Sequence, residues 1–126
     1  ACLERFNGMW AFCLIDRLEQ KAFLARDRFG VKPMYLWQTP NALYFSSEIK
    51  AFLALPDFSV TPDIEKLATY IEQGATEWTR QTVVQGVQKL EPASYIHARF
   101  EEIGRGAYQQ HRWWNPTFND SKELPV

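Results

Sequence analysis

Two cysteines and two histidines are the side chains with which this sequence could do covalent or metal chemistry. Cys13 lies inside the apolar run Met9-Trp10-Ala11-Phe12-Cys13-Leu14-Ile15. A thiol buried there keeps its proton and packs as a small hydrophobe, so no nucleophile is expected at Cys13. Cys2 reads as nearer a surface. A cysteine at a true N-terminus can use its own amine as base, but Ala1 precedes Cys2 and blocks that arrangement. His97 and His111 are isolated from one another and from carboxylates, and no Cys-x-x-Cys or Cys/His ligand spacing exists, so no metal site is expected. Gly104-Arg105-Gly106 lacks the third glycine and the preceding strand of a phosphate loop. The segment Arg26-Asp27-Arg28-Phe29-Gly30-Val31-Lys32-Pro33 is richer. It sets three cations and a carboxylate beside a glycine and a proline. Two readings fit it: a turn held by charge pairs, or a tight loop at the rim of a site or domain interface.

The elements that must position these groups begin as strands. Met9–Ile15 is apolar on both faces and reads as a strand covered on both sides. The polar stretch 16–21 is a hairpin connection to a return strand over Ala22–Ala25. Gly30 and Pro33 mark a structured turn, Met34–Trp37 a third strand, and Leu43–Ser46 a fourth. Four aromatic-rich strands with short loops predict an antiparallel sheet. Ser46 or Ser47 can cap a short helix over Glu48–Leu53, stopped by Pro56. A second helix is predicted with Thr61 as N-cap, Pro62 first, and Gly74 as its stop. Ile64, Leu67, Ala68 and Ile71 give it one apolar face. Further on, Thr82–Val84 reads as extended, Lys89–Pro92 as a turn, Ser94–Phe100 as a strand and Tyr108–Trp114 as extended. The fold class expected is α+β, with antiparallel sheets and flanking helices.

The chain has 126 residues, 46% hydrophobic, with 14 Lys plus Arg against 15 Asp plus Glu. That is one domain or a large piece of one, too apolar and aromatic for disorder. Near-neutral charge removes the electrostatic case for nucleic acid or an anionic membrane surface. No apolar run approaches the ~20 residues of a spanning helix. Two cysteines are too few for a disulfide scaffold, which favours a reducing compartment.

Three motifs carry a family resemblance. Leu3-Glu4-Arg5-Phe6-Asn7-Gly8-Met9-Trp10-Ala11-Phe12, Ala25-Arg26-Asp27-Arg28-Phe29-Gly30-Val31-Lys32-Pro33-Met34-Tyr35 and Ser47-Glu48-Ile49-Lys50-Ala51 occur in that order. Together they strongly resemble glutamine-hydrolysing asparagine synthetases and, more widely, the class II glutamine amidotransferase domain that opens them. Gln85-Gly86-Val87-Gln88-Lys89-Leu90-Glu91-Pro92 is similar to the family's element before a strand, and Trp113-Trp114-Asn115-Pro116 sits where it shows Tyr-Trp and a short linker.

The resemblance implies an N-terminal-nucleophile hydrolase, an αββα sandwich of two antiparallel sheets between helices. In such a protein the cysteine that opens the mature chain attacks the glutamine side-chain amide. The ammonia released travels to a synthetase domain, where ATP and magnesium activate aspartate. The nucleophile, the glutamine-binding arginine and the Asn-Gly-Glu oxyanion element lie upstream of the matched motifs, so the resemblance assigns no catalytic residue here, and Asn7-Gly8 is not that Asn-Gly. Residues 1–114 then form the C-terminal part of a glutaminase domain, a partial sandwich, and 115–126 a linker towards the synthetase domain. Met9 is implied as an ammonia-tunnel residue. Arg26, Asp27, Arg28, Gly30, Lys32, Pro33, Ser47, Glu48 and Lys50 are implied as structural or interface motif residues. Cys13 stands where the family usually has Ala, and Ala93 where it has Gly, which would tighten the turn if that backbone angle is positive. The expected parent is a cytoplasmic asparagine synthetase or related amidotransferase with glutamine as substrate. The rest of the parent chain is its partner, a homodimer is its possible assembly, and the isolated piece is inactive. Missing strands would leave edges that self-associate. The other reading is a self-standing structural or binding module that reuses half the fold.

Overall fold

The computed structural model describes residues 2–74 and 79–117. A 3-10 helix, Leu3–Arg5, leads into β1 (Ala11–Asp16), β2 (Lys21–Arg26), β3 (Tyr35–Gln38) and β4 (Leu43–Ser46). A second 3-10 helix, Ile49–Ala54, and α1 (Ile64–Gln73) follow. The chain continues through β5 (Val87–Lys89), β6 (Ser94–Arg99), α2 (Phe100–Gly104) and β7 (His111–Arg112).

The strands form two antiparallel sheets, ordered β1-β2-β6-β7 and β4-β3-β5. The expectation of one sheet holding the first four strands is therefore corrected. The β1–β2 hairpin finds its next partner in β6, which pairs Leu24 with Ile96, whereas β3 pairs with β4 and β5. Strand periodicity sets which face is apolar but not which strand lies alongside.

The main core draws on both sheets. Ala22 and Leu24 of β2 and Ile96 of β6 pack with Met34, Leu36 of β3, Leu90 and Ile103, while Ala11, Cys13 and Leu43 pack against them. Alternation along β3 sends Tyr35 and Trp37 to the opposite face. There they join Phe52 of the second 3-10 helix with Val84, Val87 and Phe58 in a second cluster.

β1 is not covered on both sides. Among the described residues it pairs with β2 alone, and Leu14 and Ile15 are 61% and 54% exposed. Its outer face carries an aromatic row instead: Phe12 meets Phe23 at 6.0 Å, and Phe23 meets Tyr95 at 5.5 Å. The rings meet at tilts of 48° and 42°, within the centroid range at which aromatic pairs attract.

α1 starts later than its cap signals suggest. Asp63 is the N-cap, its side chain accepting from the Lys66 N–H at 3.1 Å, and Gly74 closes the helix in the left-handed region. Thr61 and Pro62 are held instead in a strand-like bridge, with Pro62 opposite Val84 and the Gln85 N–H on the Thr61 carbonyl at 2.8 Å. That pairing denies them helical backbone angles. The apolar face of α1 stays open, with Ile64 and Ile71 70% and 74% exposed.

The short helix expected at 48–53 is the 3-10 turn Ile49–Ala54. Neither serine caps it at the usual position; the Ser46 hydroxyl accepts from the Glu48 N–H. β5 and α2 were not predicted, and of the extended segment at 108–114 only His111–Arg112 is strand. The residues at 118–126, most of the expected linker, lie outside the described residues.

The β1–β2 turn holds a testable strain. The Asp16 carboxylate accepts from the Leu18 and Glu19 N–H groups, and Gln20 then takes a φ of 53°. A left-handed angle costs a non-glycine residue about 1–2 kcal/mol, part of which glycine gives back through its looser unfolded chain. Gln20→Gly is expected to stabilise the chain by roughly 0.5–1 kcal/mol, read as a higher urea midpoint at unchanged m-value.

Candidate functional site

β2 ends at Arg26, and the chain turns through Asp27 to Pro33 before β3. Asp27 is the hub of that turn and is 1% exposed. Its Oδ1 accepts from the N–H groups of Phe29 and Val31, at 3.1 and 3.0 Å. Its Oδ2 accepts from Trp10 and Lys32, at 3.2 and 3.0 Å. Its main chain is tied as well: the Asp27 N–H donates to Trp10, and its carbonyl accepts from Gly30 and Ala93. Burial raises the carboxyl's pKa, yet the four N–H donors outweigh it and hold the group below its ordinary value.

Arg26 complements this from the carbonyl side. It is 4% exposed, donates from Nε to the Lys32 carbonyl and from Nη1 to the Leu90 carbonyl, both at 2.7 Å, and also bonds the Gly30 carbonyl. Asp27 collects N–H groups and Arg26 collects carbonyls, so the turn's backbone is held by two side chains of opposite polarity. The charge-pair reading of this segment is thus corrected at Asp27, whose bonds all run to backbone. Gly30 has φ 64° and lies against Pro92 and the Arg26 guanidinium.

Arg28 reaches the other way. Its Nη1 donates to the Phe6 carbonyl at 2.8 Å and its Nη2 to the Glu4 carbonyl at 2.7 Å, and its guanidinium sits 5.3 Å over the Trp113 ring. Trp113 also stacks on Trp10 at 5.7 Å and donates from Nε1 to the Arg26 carbonyl at 3.2 Å. Leu90, Ala93 and Trp113 therefore complete the site; each falls in or beside a family motif of the sequence, but nothing there joins them to the Arg26–Pro33 turn. The signal was the polar turn at Lys89–Pro92, whose partner could not be read. Ala93 has φ 53° and is fully buried, so the positive angle considered for it is present.

The turn gathers Arg26, Asp27, Arg28, Gly30, Lys32 and Pro33 in one place, with the Lys32 and Pro33 side chains contributing no hydrogen bond of their own to it. Ser47, Glu48 and Lys50 stand apart, at the entry to the second 3-10 helix after β4. Glu48 and Lys50 form an exposed 2.8 Å ion pair, which raises the lysine's pKa first through that hydrogen bond. Met9 follows Gly8, whose φ is 96°, and is 60% exposed.

The side chains suited to nucleophilic or metal chemistry are not assembled. Cys13 is half-buried, and burial pushes its thiol up. Cys2 is exposed. His97 packs edge-on to Phe23 and His111 tilts over Tyr95, each within the aromatic row. No group of three or more metal-capable side chains occurs among the described residues, nor does a helix long and apolar enough to cross a membrane. A cavity of about 220 Å³ opens beside the turn, between Arg26, Arg80, Lys89, Glu91 and Arg112, with the Arg26 guanidinium already committed to three carbonyls.

Comparison with known proteins decides the assignment. The glutamine amidotransferase domain model matches residues 1–114. The chain belongs to this family. It is 32% identical over 114 residues to asparagine synthetase 3 (glutamine-hydrolysing) of Bacillus subtilis, covering 90% of this chain and 18% of that protein. It is 45% identical over 65 residues to a Methanocaldococcus jannaschii protein named provisionally as a glutamine-hydrolysing asparagine synthetase, covering 52% and 13%. It is 30% identical over 118 residues to an amidase of Gibberella zeae, covering 94% and 16%. The chain thus spans less than a fifth of the length of these relatives. Within this glutamine amidotransferase domain, the hydrogen bonds of Asp27 and Arg26 tie the turn to Trp10 just before β1 and to Lys32 just before β3.

Proposed function

We propose that the chain is one part of a cytoplasmic, glutamine-hydrolysing amidotransferase of the asparagine synthetase type, supplying scaffold and part of an ammonia conduit. One observation carries this reading: the amidotransferase match covers residues 1–114, yet the described residues assemble no activated thiol. The nucleophile, the glutamine-binding groups and the ATP- and magnesium-dependent synthetase domain belong to the rest of the parent. The fold fits this division. An exposed Met9, an open outer face on β1 and a bare apolar face on α1 are surfaces that further polypeptide would cover.

In this reading Met9 lines the conduit. Its thioether is apolar and offers no proton, which keeps ammonia as the uncharged nucleophile. Arg26, Asp27, Arg28, Gly30, Lys32 and Pro33 hold the backbone next to Met9, because the Asp27 carboxylate fixes the N–H of neighbouring Trp10. Ser47, Glu48 and Lys50 act as an exposed motif on the second sheet's side. The N-terminal-nucleophile sandwich and a homodimeric parent belong to the same proposal.

The purified chain incubated with glutamine is expected to release no glutamate above a buffer control. Turnover that disappears in Cys2→Ser would overturn the reading and make Cys2 a nucleophile in its own right.

A further inference from the structure

Both sheets end in a bare strand on the same side of the core. Among the described residues β1 pairs only with β2, and β4 only with β3. The opposite margin of the second sheet is occupied: Gln81 bridges Gln88, and the Lys89 N–H donates to the Arg80 carbonyl at 2.7 Å. At the opposite margin of the first sheet, β7 offers only His111 and Arg112, both exposed and polar.

The two bare strands flank one apolar cavity of about 210 Å³. Ile15 of β1 and Leu43 and Phe45 of β4 form its mouth, over a floor of Leu24, Phe100 and Ile103. Ile15 is over half exposed and Phe45 is 45% exposed. Waters in this cavity would face walls with few polar partners for them.

We propose that in the isolated chain a second copy closes this mouth, pairing β1 with β1 and β4 with β4 about a two-fold axis. The inference rests on the reading above, in which further polypeptide of the parent holds these edges in the intact protein. The sequence of the edges is self-complementary. Ala11–Ile15 and Leu43–Ser46 contain no charge and no proline, the devices that normally guard an edge strand. Antiparallel self-pairing of β1 centred on Cys13 sets Ala11 opposite Ile15 of the second copy, both on the core face, and leaves Asp16 just beyond the paired residues, so the two like charges end up at opposite ends of the pair. The same pairing of β4 centred on Tyr44 sets Leu43 opposite Phe45 of the second copy, both on the cavity side, and leaves no charge facing another. Both sheets then continue across one closed, isologous interface.

Sedimentation of the purified chain over a range of concentrations tests this. A monomer–dimer equilibrium is expected. Phe45→Lys and Ile15→Lys should each weaken it at least about tenfold, whereas Ile71→Lys on the open face of α1 should leave it unchanged. Amide exchange on the unaltered chain gives a readout that does not depend on variants folding: protection should rise with concentration in β1 and β4. A monomer throughout, an assembly larger than a dimer, a dimer broken by Ile71→Lys alone, or concentration-dependent protection confined to α1 would each overturn the proposal. Glutamine turnover by the chain would count against the fragment reading and leave this equilibrium to be judged on its own.

Discussion

Asp27→Ala is expected to abolish cooperative folding of the chain. The carboxylate serves four backbone N–H groups at once, those of Trp10, Phe29, Val31 and Lys32. Removing it strands them in a site where Asp27 itself is 1% exposed. A buried donor left without a partner costs about 1–3 kcal/mol. Four together reach or exceed ~4 kcal/mol, against the ~5–15 kcal/mol that a whole domain typically has. Asp27→Asn separates charge from shape. The amide keeps one acceptor oxygen for two of the donors, while its NH₂ group faces the other two, so a smaller but still severe loss is expected. Chemical denaturation followed by far-ultraviolet circular dichroism gives the order: unaltered chain, then Asn, then Ala. An alanine variant as stable as the unaltered chain would remove Asp27 from the centre of this architecture.

The same carboxylate makes stability depend on pH in a defined direction. Its folded pKa lies below the ordinary value. The folded state therefore holds fewer protons at this group than the unfolded state, and stability rises with pH in that range. The contribution is complete above the unfolded value of about 3.9 and falls away as the pH drops through the depressed folded value. An Asp27→Asn chain should lose this part of the acid sensitivity, visible as a flatter plot of urea midpoint against pH below about 4.

How far the sequence foretold this depends on the range of the interactions. β4 was legible to the residue, Leu43–Ser46, because aromatic alternation bounded by turn residues is a local signal. Gly74 as the stop of α1 was legible for the same reason. β5 is only Val87–Lys89, with Gln88 exposed at its centre, and it forms because β3 lies alongside it. α2 begins where β6 ends; Glu102 reaches back to the Arg99 N–H at 2.8 Å, a capping signal hidden inside what reads as one strand, Ser94–Phe100. The start of α1 was misplaced because a pairing with Val84, distant in sequence, overrode the local cap at Thr61. The site divides the same way. The Arg26–Pro33 segment stood out by composition, but its bonds to Leu90, Ala93 and Trp113 span more than sixty residues. β1 carries the pattern of a doubly covered strand because its residues are apolar on both faces, and that pattern records what a sequence is suited to meet, whether or not the partner belongs to these 126 residues.

Gly30→Ala should be the second most damaging single change, through a contact between those two distant segments. A Cβ at position 30 would stand 2.7 Å from Cγ of Pro92 and 3.0 Å from Cζ of Arg26. Neither neighbour can step aside cheaply. The proline ring is rigid, and the guanidinium is bound to three carbonyls, one of them that of Gly30 itself. The backbone adds its own cost, since φ at Gly30 is 64°, where a side chain is disfavoured by about 1–2 kcal/mol. With overpacking worth a further ~1–3 kcal/mol, a loss of roughly 2–5 kcal/mol is expected. The two causes can be told apart. In a Pro92→Ala background the closest clashing carbon is gone, so Gly30→Ala should cost less, leaving the ~1–2 kcal/mol of its backbone angle and the contact with the Arg26 guanidinium. A double-mutant cycle measured by urea denaturation therefore should show a coupling of at least ~1 kcal/mol between positions 30 and 92. Strict additivity would mean that the Pro92 ring does not confine the turn, and that its shape is set by Asp27 and Arg26 alone.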